Sequence, residues 1–226
     1  MRLLLIRHGQ TPANVRGELD TAAPGPPLTE LGRAQAAAVP DALASEHIDG
    51  IYVSRLVRTA QTAAPLARTR GEMHRVVLPG IHEIEAGELE GRTDKEAVRD
   101  YLMTVWSWGE GNLGARMPGA GDGHEFFGRF DADVARVTAE HAPDATVALF
   151  SHGAAIRVWT SARATNIAPE FPGRQHLDNT GVVALEGSPS EGWVVTSWAG
   201  EPIGGAELND PTADDITGET LEEATE

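Results

Sequence analysis

An α/β fold follows from three features of the sequence: a three-layer α/β/α sandwich with a mostly parallel central sheet of about six strands, one of them antiparallel. Short aliphatic runs alternate with longer segments whose apolar residues recur every three or four positions. That alternation of strand and helix signals belongs to a sheet with helices on both faces. Near the C-terminal end, two strand signals follow one another across Gly187-Ser188-Pro189-Ser190, which predicts an antiparallel hairpin.

Taken in order, residues 2–6 predict a short buried strand. Residues 29–45 predict a helix with Thr29 as N-cap and an apolar stripe of Leu31, Ala34, Ala38, Ala42 and Leu43, which Pro40 should end or kink. Residues 48–53 predict a strand, and Ser54 is placed to cap a helix over 55–69. A weak strand at 76–78 precedes a helix over 93–106. A Gly-rich loop over 109–123 has the length of a functional lid. A helix over 125–141, a strand over 146–150 and a helix from 153 to about 164 lead into the hairpin strands at 181–185 and 193–198.

The chain of 226 residues is long enough for one domain with a substantial core, and 41% of it is hydrophobic. It has no cysteine, which excludes disulfides, zinc–thiolate sites and a thiol nucleophile. The four apolar residues at 3–6 are too few for a secretory signal, and no run approaches the ~20 residues of a membrane span. The expectation is a soluble, cytoplasmic protein with no membrane partner. Nine of the 34 acidic residues, and none of the 18 basic ones, lie from Glu201 onward. Residues 201–226 are thus expected to be an acidic, flexible tail on a domain formed by 1–200. The overall net charge of −16 disfavours nucleic acid as a partner.

Two histidines stand in matching places. His8 follows the first strand and His152 follows the strand ending at Phe150, and each is followed by glycine. Ligands of open α/β sheets bind beyond the carboxyl ends of the strands, so both imidazoles should face one site. Gly9 and Gly153 would let the backbone approach a ligand closely. Arg7 precedes His8, and Arg58 falls in the first turn of the helix after the second strand. Cations beside a helix N-terminus make an anion site, and guanidinium matches phosphate geometry. Among the other histidines, His47, His74, His124, His141 and His176 lack such a context. No HExxH or similar metal spacing occurs.

Five segments in this order resemble the histidine phosphatase superfamily, also called the phosphoglycerate mutase-like family. They are Leu5-Ile6-Arg7-His8-Gly9-Gln10-Thr11 with Asn14, Leu28 to Gln35, Ser54 to Thr62, Ile81 to Gly91, and Ser151-His152-Gly153. The resemblance covers roughly residues 1–198. It implies that His8 is the nucleophile that becomes phosphorylated. It implies that Arg7, Arg58, His152, Asn14 and Gly153 hold the phosphoryl group and that Glu83 is the general acid and base, with Glu85 as runner-up. Neither metal nor other cofactor is needed in this chemistry, because arginines and histidines supply the positive charge. The nearby arginines should keep His8 neutral and able to attack.

Ala13, Ala86 and the segment from Pro118 to His124 depart from the family pattern and leave the substrate open. Gln10, Trp106 and Arg116 are candidates for substrate contacts, the last for a second anionic group. The short core and the residues after Glu83 favour a phosphatase acting on a small-molecule phosphate ester. A cofactor-dependent phosphoglycerate-type mutase, or an inert homologue that binds phospho-ligands or protein, is the alternative. A homodimer is compatible with all three.

Overall fold

The computed structural model describes residues 1–225. In chain order the elements are β1 (Arg2–Arg7), α1 (Pro12–Val15), α2 (Glu30–Ala42), β2 (Gly50–Val53), α3 (Val57–Thr69), β3 (Arg75–Val77), α4 (Lys95–Gly109), α5 (Gly123–Glu140), β4 (Thr146–Ser151), α6 (Gly153–Arg163), β5 (Val182–Ser188), β6 (Gly192–Ala199) and α7 (Leu221–Thr225). The predicted elements are present with ends shifted by a few residues. None of the helices among the described residues is long and apolar enough to cross a membrane.

The sheet has six strands in the order β3-β2-β4-β1-β5-β6. β1, β2, β3 and β4 pair in parallel, whereas β5 runs antiparallel to both β1 and β6. One strand is therefore reversed, as the hairpin signal predicts. Alternation along β1 divides the core in two. Leu3 and Leu5 join the cluster beneath α4, α5 and α6 with Tyr101, Phe130 and Trp159. Leu4 and Ile6 join the opposite cluster with Val39 and Leu43 of the α2 segment and Leu66 of α3. These are the three layers.

Local chemistry explains the helix starts. The Thr29 hydroxyl accepts from Gly32 N at 3.0 Å and caps α2, as expected. Pro40 lies within α2, which ends two residues later. Ser54 does not cap α3, which starts at Val57 after Leu56 with no side-chain cap. Its hydroxyl lies 2.7 Å from His152 Nε2 instead.

Gly9 serves packing rather than ligand approach. A Cβ on Gly9 would stand 2.7 Å from the Gly32 carbonyl oxygen, and one on Gly32 would stand 2.1 Å from the Gln10 carbonyl oxygen. The loop after β1 thus lies backbone to backbone on the start of α2. Gly32→Ala is expected to destabilise the fold by about 1–3 kcal/mol, the usual range for overpacking. Urea unfolding measures this, and an unchanged midpoint would show that the contact is loose.

Candidate active site

Parallel pairing sets Arg7 opposite Ser151, and His8 N donates to Ser151 O at 3.1 Å. His8 and His152, each one residue beyond its strand, are consequently neighbours, with ring centroids 5.1 Å apart. The backbone around His8 is clasped from several sides. Gly9 N donates to Thr62 Oγ1 and Gln10 N to Gln35 Oε1, while Asn179 Nδ2 and Thr180 N both donate to His8 O. Strands and helices far apart in sequence thus fix one imidazole.

Both rings are buried. His8 Nδ1 lies 2.8 Å from Gly9 O, which places the ring proton on Nδ1 and leaves the Nε2 lone pair free. Burial, then the charges of Arg58 and Arg7, hold the His8 pKa well below the usual imidazole value. His152 is lowered likewise by burial, then by Arg58. Among the described residues its buried Nδ1 has no hydrogen-bond partner, nor have Nε of Arg7 and Nε of Arg58.

Arg58, on the first turn of α3, donates from Nη1 to Asp20 Oδ2 at 2.9 Å and from Nη2 to Asp20 O. Arg7 is fully buried and gives both Nη groups to Asp215, at 2.5 Å each. Asn14 is oriented by a capping box on α1. Its Oδ1 accepts from Thr11 N, so Nδ2 turns the other way and donates to Asp215 Oδ1 at 3.1 Å.

Glu83 is buried at the N-terminus of α6. Its carboxylate accepts from Ile84 N, Ala154 N and Ala155 N at 2.9–3.2 Å. The loop bearing it is tied down by Ser151 Oγ on Ile81 O, Tyr101 OH on Ile84 O, and Arg129 on the carbonyls of His82 and Glu83. Glu85 points elsewhere. It is half-exposed and 2.6 Å from His82 Nε2, and that hydrogen bond pulls its pKa down to about 2.

The structure thus gathers His8, Asn14, Arg58 and Glu83 around one cleft, joined by Asp20, Tyr101, Asp214, Asp215 and Thr217. His152 and Arg7 stand directly behind it. Other candidates lie elsewhere. Arg116 is exposed and paired with Asp122 and Glu125, because the 110–122 loop folds on itself through Arg116. Trp106 is buried on α4 with the Arg157 guanidinium 5.0 Å over its ring. Gln10 donates to Asp210 Oδ2 on the far side of the loop. Gly153 leaves room for Thr217, whose carbonyl oxygen would stand 2.6 Å from an added Cβ. The acidic segment expected to be a free tail is packed across this rim. Ile216 enters the core, and Arg157 donates to Thr217 O and Glu219 O.

With this geometry in view, comparison with known proteins is informative. Residues 3–200 match the profile of the histidine phosphatase superfamily, branch 1. The chain belongs to that superfamily. It is 38% identical over 222 residues to the PE-PGRS family protein PE_PGRS11 of Mycobacterium tuberculosis, covering 92% of this chain but only 38% of the relative's length. A probable phosphoglycerate mutase of Yersinia enterocolitica is 28% identical, covering 96% of this chain and 99% of the relative. The solved structure of mycobacterial glucosyl-3-phosphoglycerate phosphatase with VO3 superposes at a TM-score of 0.74 with 27% identity. It covers 88% of this chain and 99% of that one. The superfamily and its phosphatase neighbours support the hydrolase class.

Sequence reasoning missed Asp20, Tyr101 and Asp215. Asp20 sits in an irregular stretch whose partner Arg58 is 38 residues away, and Asp215 lies 208 residues from Arg7. No local periodicity marks such pairs.

A pH dependence follows from the two buried rings. Both stay neutral in the folded chain but protonate near pH 6.5 once unfolded. The unfolded state therefore binds more protons as pH falls below about 6.5. Each ring then withdraws up to about 1.4 kcal/mol of stability per pH unit until its folded pKa is reached. His152→Asn is expected to flatten the acid limb of stability against pH, measured by urea unfolding. Equal slopes in the two proteins would contradict a neutral, buried His152.

Proposed function

We propose that the protein is a metal-independent phosphatase that hydrolyses a small phosphomonoester through a phosphohistidine on His8. The observation that carries this reading is the state of His8. It is buried, held neutral by burial and by Arg58 and Arg7, and has its proton spent on Gly9 O. That leaves a lone pair on Nε2 beside cationic groups suited to a phosphoryl group.

In the first step His8 Nε2 forms a bond to phosphorus and the ester P–O bond breaks. A proton from the Glu83 carboxyl group neutralises the leaving alkoxide. In the second step Glu83 takes a proton from water, whose oxygen attacks phosphorus. The N–P bond breaks, inorganic phosphate departs, and its electron pair returns to His8. Arg58, Arg7 and His152, assisted by Asn14, stabilise the charge on the phosphoryl oxygens. Glu85, with its pKa near 2, is ionised throughout and does not carry this proton. Apart from Arg58, the charged residues lining the cleft outside the segment 210–219 are Glu18, Asp20 and Glu83. Such a mouth repels a second anionic group. This favours esters with a neutral or cationic leaving group over bisphosphoglycerate, and hence a phosphatase over a cofactor-dependent mutase.

His8→Ala is expected to lower hydrolysis about 10³-fold or more and to abolish acid-labile phosphate on the protein after rapid quenching. Phosphate that persists on the variant would place the nucleophile elsewhere. Glu83→Gln should reduce turnover of alkyl phosphates about 10²–10⁴-fold but affect nitrophenyl phosphate far less, since nitrophenolate leaves without a proton. An equal loss on both esters would refute the acid role. Activity should survive EDTA and be blocked by vanadate. Loss of activity on chelation would require a metal-assisted mechanism.

A further inference from the structure

The acidic segment that crosses the rim makes contacts of a distinctive kind. Asp215 meets Arg7 side-on with two oxygens on two nitrogens, at 2.5 Å each, the geometry a guanidinium also offers to phosphate. The same carboxylate accepts from Asn14 Nδ2, and Thr217 Oγ1 accepts from Arg7 Nη2 at 3.0 Å. Thr217 also fills the space beside Gly153. Arg7, Asn14 and Gly153, three of the groups assigned above to the phosphoryl group, are thus all engaged by residues 215–217. Asp214 to Thr217 also form part of the wall of the cleft that His8, Arg58 and Glu83 line.

We propose that the segment from Asp210 to Glu219 is an internal competitor for the anion site, with the Asp215 carboxylate standing in for the substrate's phosphoryl group. This rests on the phosphatase reading given above. Substrate enters only when the segment lifts, so apparent affinity is reduced by the fraction of time the site is free. The seat is built for such an exchange. Ile216 anchors the segment in the core, and Arg157 donates to two of its carbonyls. Its hold on the proposed phosphoryl-binding side chains is the Asp215 carboxylate on Arg7 and Asn14 and the Thr217 hydroxyl on Arg7. A phosphate dianion brings more charge and more acceptor oxygens to the same donors.

A positioning role for Asp215, in which it holds Arg7 ready for substrate, makes the opposite prediction, so the sign of one experiment decides. Calorimetric titration of inorganic phosphate into the full-length chain should show about tenfold tighter binding in Asp215→Ala than in wild type. KM for an aryl phosphate should fall in parallel. Unchanged or weaker phosphate binding in a variant with wild-type circular dichroism would overturn the proposal. Hydrogen exchange on the wild-type protein supplies a test free of any substitution. Added phosphate should speed exchange of the amides at 210–219, whereas unaltered exchange at saturating phosphate would refute displacement. Retained phosphatase activity in either failure would leave the reading of the site intact. Absence of both phosphate binding and hydrolysis in wild type and variant alike would overturn both.

Discussion

Everything at the rim depends on the parallel pairing of β1 with β4 in a register that sets Arg7 against Ser151. A shift by one residue would exchange the two faces of β1 and send Leu3 and Leu5 into the wrong layer. The register is therefore enforced by the hydrophobic core, and the adjacency of His8 and His152 is its consequence. The same pairing aims the N-terminus of α6 at the cleft, where its amides meet the Glu83 carboxylate.

Burying so much positive charge has a price, and the chain meets it at each arginine differently. Arg58 is matched by Asp20 and Arg7 by Asp215, both carboxylates brought from distant segments. Arg157 is served by backbone carbonyls. It donates to the carbonyls of Pro172, Gln175, Thr217 and Glu219, and burial lowers its pKa to about 9. Arg129 likewise serves carbonyls, those of Gly80, His82 and Glu83, and so stiffens the loop that carries Glu83. A cation left in a dry interior without such partners would be strongly destabilising. These contacts couple the site to the fold around it.

Much of the architecture was legible because it rests on local patterns. Aliphatic runs and three-to-four residue stripes located the strands and helices, and the Gly-Ser-Pro turn located the reversed strand. His8, Arg58 and His152 could be singled out because each occupies a strand end or a first helical turn, whereas Glu83 was reached through the family resemblance. The failures share one cause. Ser54 reads as a cap, but His152 takes its hydroxyl. Gly153 reads as ligand space, but Thr217 fills it. Trp106 and Arg116 read as substrate contacts, but each finds partners of its own, Arg157 for one and Asp122 with Glu125 for the other.

The acidic segment is the sharpest instance. Its composition, rich in charge and poor in large apolar residues, reads as solvated chain. The structure seats it because Ile216 finds a hydrophobic slot and Asp215 finds Arg7, neither visible from within the segment. The sequence by itself determined the fold class, the placing of two histidines at strand ends and the family, since periodicity and strand-end motifs are local properties of a chain. Only the tertiary structure decided which carboxylate meets which buried arginine and how far the cleft is filled, because burial and pairing are relations between segments as many as 208 residues apart.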